Sequence, residues 1–132
     1  MNTGHEGSLT TVHANSPRDA LARIENMVSM ANLNIPERAI RHQIANAVHA
    51  VVQVARLSDG TRKVITVSEV TGMEGDMIVL RDVFVFERSG IDESGKVRGV
   101  FHSMGYPPQF AERLATAGCR LSPALFESRM EV

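Results

Sequence analysis

The chain has 132 residues, 43% of them hydrophobic and 22% charged, with a formal net charge of -1; this apolar content supports a packed core and excludes the polar bias of a disordered chain. Lysine and arginine are spread along the whole length, so no single-sign face points to a nucleic acid, and no apolar run approaches the ~18 residues of a membrane-spanning helix. Residues 1–15 lack the basic start and apolar core of a signal peptide, and Cys119 is the single cysteine, which rules out an internal disulfide and fits a cytosolic setting.

In chain order, Gly4 and Gly7 open a loop that leads into a β-prone run, Ser8 to His13, dominated by threonines and Val12. Ser16-Pro17-Arg18-Asp19 supplies an N-cap, a proline at the first helical position and an acid at the third. With Leu21, Ile24 and Val28 at helical spacing, this predicts a helix over Pro17–Ala31. Asn32 to Ile35 breaks it, Pro36 restarts it, and Ile40, Ile44, Ala47 and Val48 mark the apolar face of a second helix.

From His49 the period changes to that of strands. Val51, Val52, Val54 and then Val64, Ile65, Val67 and Val70 flank Ser58-Asp59-Gly60-Thr61, which predicts a hairpin. Gly72 to Asp76 predicts the next turn, Met77 to Glu87 a long strand, Arg88 to Lys96 a polar loop and Val97 to Phe101 a short strand. Pro107-Pro108 introduces a terminal helix with Phe110 and Leu114 that stops at Gly118.

Two segments imitate nucleotide-binding motifs. Gly90 to Val97 has two glycines and a lysine at phosphate-loop spacing, but Val97 lacks the hydroxyl for magnesium, Asp92 and Glu93 oppose phosphate, and no helix follows. It reads as a solvated hairpin loop. Ile78 to Asp82 resembles an apolar strand that delivers a magnesium-binding aspartate, yet Arg81 interrupts it and the strand runs on, so a plain sheet strand is the better reading.

Thr3 to Asn15 gathers His5, Glu6, His13, hydroxyls and Asn15 around the first β-prone run. Glycines allow close backbone approach, imidazoles donate to phosphate oxygens, and an amide bridges two groups. Spacing alone does not separate such a polar site from a glycine turn that carries surface histidines.

The whole segment from Thr3 to Ser16 resembles the histidine box of the type II/IV secretion ATPases, especially the CpaF-like branch that powers pilus assembly. The likeness continues through Pro17 to Leu21, Gln43 to Ala45, Glu69 to Asp76 and a more loosely similar tail from Gly99 to Phe126. It implies an α/β fold: the C-terminal part of a RecA-like P-loop NTPase core over residues 1–105 with a β-hairpin or meander, then a small helical tail over 106–132. The resemblance also implies that His5, Glu6 and His13 serve catalysis and that His13 and Asn15 contact nucleotide beside the γ-phosphate. The cofactors would be ATP and Mg2+ in a cytoplasmic homo-hexamer that works on inner-membrane platform proteins. The phosphate loop, its lysine and the magnesium-organising acid of such enzymes are absent from these residues, so the chain alone is expected to bind no nucleotide strongly and to be inactive.

The remaining candidates read as structural. His42 and His49 lack a third ligand for a metal, Met27 and Met30 fill core gaps, and Arg18, Arg38, Arg41 and Arg62 receive no role. A competing reading is a free-standing α/β interaction module without catalysis, monomeric and cooperative, whereas a motor segment predicts exposed apolar surface.

Overall fold

The computed structural model describes residues 7–31 and 34–132. The fold is mixed α/β, with the elements α1 (Pro17–Ala31), α2 (Glu37–Ala47), β1 (Ala50–Arg56), β2 (Arg62–Glu74), β3 (Met77–Ile91), β4 (Val97–Ser103), α3 (Phe110–Thr116), a 3-10 turn (Pro123–Glu127) and β5 (Arg129–Glu131). The sheet is a meander in the order β1-β2-β3-β4-β5. The chain divides into two compact units, the first taking the chain through His49 together with Val70–Leu80, the second Ala50–Glu69 and Arg81–Val132.

In the first unit the helices form where their caps and stripes predict. Ser16 Oγ accepts the Asp19 N–H at 3.1 Å, closing the N-terminus of α1 over one of its orphan donors. Ala20, Leu21, Ile40, Ile44 and Ile78 are buried, and α1 packs on α2. Arginines tie these helices to the β2–β3 turn and the start of β3: Arg18 Nη1 donates to the Ile78 carbonyl at 3.3 Å, Arg38 pairs with Asp76 at 3.2 Å, and Arg41 bonds Glu25 at 2.9 Å and the Asp76 carbonyl at 3.3 Å.

In the second unit Val83, Val97 and Phe126 are buried. The Phe84 ring stacks on Phe101 with centroids 5.6 Å apart and meets Phe126 at 6.1 Å. Gly99 is required by close approach, because a Cβ there would lie 2.5 Å from the Phe86 ring and 2.4 Å from the Glu87 carbonyl oxygen. Glu69, 1% exposed, accepts from Arg81 Nε at 2.8 Å and from Arg81 Nη2, while its second oxygen takes the Gln109 N–H at 2.7 Å. Arg81 also lies over the Tyr106 ring, 4.2 Å from its centroid. A buried carboxylate thus anchors the segment that leads into α3, whose C-terminal turn is followed by Gly118 with φ of 90°.

Five expectations change. Met27 and Met30 do not fill the core but stand 48% and 79% exposed on α1, on the helix face turned away from Leu21. Ser8 to His13 is not a strand, and Leu9 is fully exposed; β-prone residues form a strand only against a partner, and none pairs with this run among the described residues. The second turn lies at Gly75-Asp76 because β2 continues through Gly72 to Glu74. β3 runs on through Arg88 to Ile91 because β4 supplies partners, with Arg88 opposite Gly99 and Ile91 opposite Val97. The tail, after α3, returns as β5 alongside β4, with Met130 opposite Phe101. The imitation phosphate loop is a tight turn: Asp92 Oδ1 accepts from Ser94 N, Ser94 Oγ and Lys96 N. The hydroxyl of Ser94, the Lys96 amide and the Arg98 guanidinium hold the Asp92 carboxyl well below the usual carboxylate range. No parallel strand pair occurs among the described residues, β1 on β2, β3 on β4 and β4 on β5 all pairing antiparallel.

Two predictions follow from these contacts. Arg81→Ala strands the Glu69 carboxylate in a buried position and is expected to lower the unfolding free energy by about 3 kcal/mol, read from urea denaturation, with Arg81→Lys recovering part of it. Asp59 accepts from the Thr61 hydroxyl at 2.6 Å, the Thr61 N–H at 2.9 Å and the Val97 N–H at 2.8 Å, and these donors pull its pKa down from 3.8 to about 2. The group is depressed in the folded state, so its stabilisation is present above the unfolded value of 3.8 and is lost as pH falls toward about 2. Asp59→Asn should therefore unfold at lower urea than the native chain at pH 7, and the gap between the two should close across that acid window.

Candidate functional site

The first turn of α1 positions the site. Pro17 presets the helical φ and Ser16 caps the turn, so the chain enters the helix directly from His13-Ala14-Asn15. These three residues, with Asp19 and Arg23 of α1, line a concavity of about 470 Å³. Asp19 and Arg23 are four residues apart and share one face of the helix. Arg23 Nη1 donates to the His13 carbonyl at 2.8 Å, tying the loop to the helix wall.

Chemically the site is open and polar. His13, Asn15, Asp19 and Arg23 are all exposed, which leaves an imidazole, an amide, a carboxylate and a guanidinium within reach of one ligand. The positive end of the helix dipole favours negative charge, and the guanidinium adds to it. Asp19 acts against a bare anion and favours one that brings a cation or hydrogen-bond donors of its own.

Of the residues singled out from sequence, the structure brings His13 and Asn15 together. His5 and Glu6 lie outside the described residues. Asp19 was legible only as a capping-turn acid, and Arg23 carried no signal beyond its place four residues after Asp19 on an amphipathic helix. Arg18, Arg38 and Arg41 have partners within the first unit. His42 is exposed on α2 and His49 follows that helix; no group of three potential metal ligands occurs among the described residues. Asp82 accepts from Ser68 Oγ at 2.6 Å inside the sheet, as befits a plain strand residue. No helix among the described residues is long and apolar enough to cross a membrane.

Comparison with known proteins places the chain in a family. Two putative conjugal transfer proteins of Mycobacterium tuberculosis strains are 37% identical to this chain over 75 residues, which is 57% of this chain and 21% of theirs. The conjugal transfer protein TrbB of Rhizobium radiobacter is 35% identical over 74 residues, 56% of this chain and 20% of its own. The matched stretch thus spans about a fifth of the length of these relatives. Residues 1–100 match the type II/IV secretion system protein family as a whole, and with most of its length so matched the chain belongs to the type II/IV secretion system protein family.

Proposed function

We propose that the chain forms the sensor portion of a CpaF-like secretion motor, a homo-hexameric ATPase with a RecA-like core that couples ATP hydrolysis to protein export or pilus polymerisation. The observation that carries this reading is the grouping of His13, Asn15 and Arg23 around one concavity at the start of α1. His5 and Glu6 belong to the same box by sequence and complete it in this reading.

The chemistry assigned to each group follows from its donors. The His13 imidazole donates to a terminal phosphate oxygen, the Asn15 amide bridges that phosphate and a neighbouring acceptor, and Arg23 holds the loop by the His13 carbonyl. Asp19 suits a phosphate accompanied by Mg2+ better than a bare one. Cleavage of the terminal phosphate changes the charge and position of the atoms these donors face, and that change is the signal passed on. These residues contain no glycine-rich loop ending in Gly-Lys-Ser or Gly-Lys-Thr, so phosphate gripping and magnesium binding are assigned to other polypeptide of the assembled motor.

The conjugal transfer relatives support a role in macromolecular transfer, and the imidazole and amide of the site support nucleotide sensing. The assembled motor would act at the cytoplasmic side of the inner membrane on platform proteins. Val52, Val54 and Val64 are 57%, 51% and 38% exposed on the β1–β2 ribbon, an apolar surface that suits packing against further polypeptide better than a free-standing module.

Two outcomes test the reading. In the assembled motor, His13→Ala is expected to lower ATP turnover roughly 100-fold, the scale of removing one transition-state donor, and output of exported or polymerised product should fall with it; unchanged turnover with unchanged output would sink the assignment. The 132-residue chain incubated alone with ATP and Mg2+ should release no phosphate above the buffer rate, and steady turnover by it would overturn the sensor role in favour of a complete active site.

A further inference from the structure

We infer that Arg23 is a positioning residue for His13, acting through the His13 backbone, an inference that rests on the sensor reading given above. Residues 7–14 lie outside the sheet and outside every helix. They cannot be located by a ladder, and Leu9 near their middle touches nothing that shields it from water. Two of the segment's ties to regular structure lie at its end, where Ser16 caps α1 and Arg23 Nη1 reaches the His13 carbonyl at 2.8 Å.

Helix geometry explains why residue 23 can make this bond. It lies about two turns, or ~10 Å, beyond the cap, but helical side chains lean toward the N-terminus, so a long side chain there returns to the helix entrance. An arginine suits the task because its long stem reaches back to the helix entrance and its planar guanidinium is a permanently charged donor for the carbonyl. Val12 and Ala14, the neighbours of His13, are partly shielded while His13 is exposed, which directs the imidazole outward and leaves its carbonyl as the group that α1 grips. The helix itself is held by Arg18 to the Ile78 carbonyl and by Glu25 to Arg41. His13 is thereby referenced to a packed helix and not to a flexible loop.

The test is a double-mutant cycle in the assembled motor together with backbone relaxation measurements on this chain. Arg23→Met is expected to lower kcat about 10-fold with KM for ATP changed less than about twofold, and to add nothing further when His13 is already alanine. Arg23→Lys, still a charged donor of sufficient reach, should restore part of the loss. A loss that multiplies undiminished in the His13→Ala background would overturn the inference, since Arg23 would then act by its own contact or through folding. In the relaxation arm, Arg23→Met should drop the backbone order parameter of His13 below about 0.6 while Leu21 and Ile40 stay near 0.85; an unchanged value at His13 would overturn positioning. Should His13→Ala leave turnover intact, the sensor reading fails, and the relaxation result alone then decides whether Arg23 positions His13.

Discussion

Arg41 is the point on which the first unit depends. Its Nε bonds Glu25 of α1, its Nη2 reaches Glu37 one turn earlier on α2 at 3.4 Å, and its Nη1 donates to the Asp76 carbonyl in the β2–β3 turn. A guanidinium offers five N–H groups in a fixed plane, so one side chain can satisfy three acceptors from three segments. Burial of Leu21, Ile40, Ile44 and Ile78, at about 1.5–3 kcal/mol for each side chain, supplies most of the energy that holds helices and turn together. Apolar burial is non-directional, however, and permits rotation and sliding. The arginine fork fixes the angle, and whatever stands at the start of α1 inherits it.

The second unit is organised around a buried charge of the opposite sign. Glu69 is out of water and satisfied on both oxygens, by Arg81 and by the Gln109 N–H. That arrangement specifies where the chain leaves β4 for α3, since a shift of the Pro107–Gln109 segment would leave a carboxylate oxygen unpaired. Tyr106 adds to the same knot, its ring under Arg81 and its hydroxyl donating to the Asp82 carbonyl at 2.5 Å. The strands β2 and β3 carry both devices, Glu69 and Arg81 near their middles and Asp76 at their turn. One hairpin therefore contributes to the polar frame of each unit.

Local signals made the helices and turns legible. The cap at Ser16, the proline at Pro17 and the spacing of Leu21, Ile24 and Val28 specify α1, whose bounds match at both ends; Asp59-Gly60 specifies the first hairpin, where Asp59 closes the turn through Thr61. What stayed illegible depends on partners distant in sequence. Arg88 to Ile91 reads as loop by composition and is strand because β4 lies alongside, while Ser8 to His13 reads as strand by composition and has no such neighbour among the described residues. For the site, His13 and Asn15 stood out by residue type in a glycine-flanked segment. Arg23 did not, because a charged residue on the exposed face of a helix is unremarkable until a side-chain bond 10 residues back along the chain shows what it holds.

Under the proposed sensor role, the difference in anchoring between scaffold and site has a consequence for signalling. Helix α1 is secured by buried side chains and by bonds from Arg18 and Arg41, so displacing it would disrupt several interactions together. The His13 carbonyl is gripped by an exposed hydrogen bond, and such a bond contributes about 1 kcal/mol net, roughly a fivefold bias between held and released loop. A ligand that binds the released arrangement only modestly better than the held one can reverse that bias, because the shift it produces equals its differential affinity. A loop held far more tightly would not respond to the loss of one phosphate contact, and a loop without Arg23 would lose this hold on the His13 carbonyl. An anchor of this strength leaves the loop poised between the two, with α1 as the fixed reference against which its movement is registered.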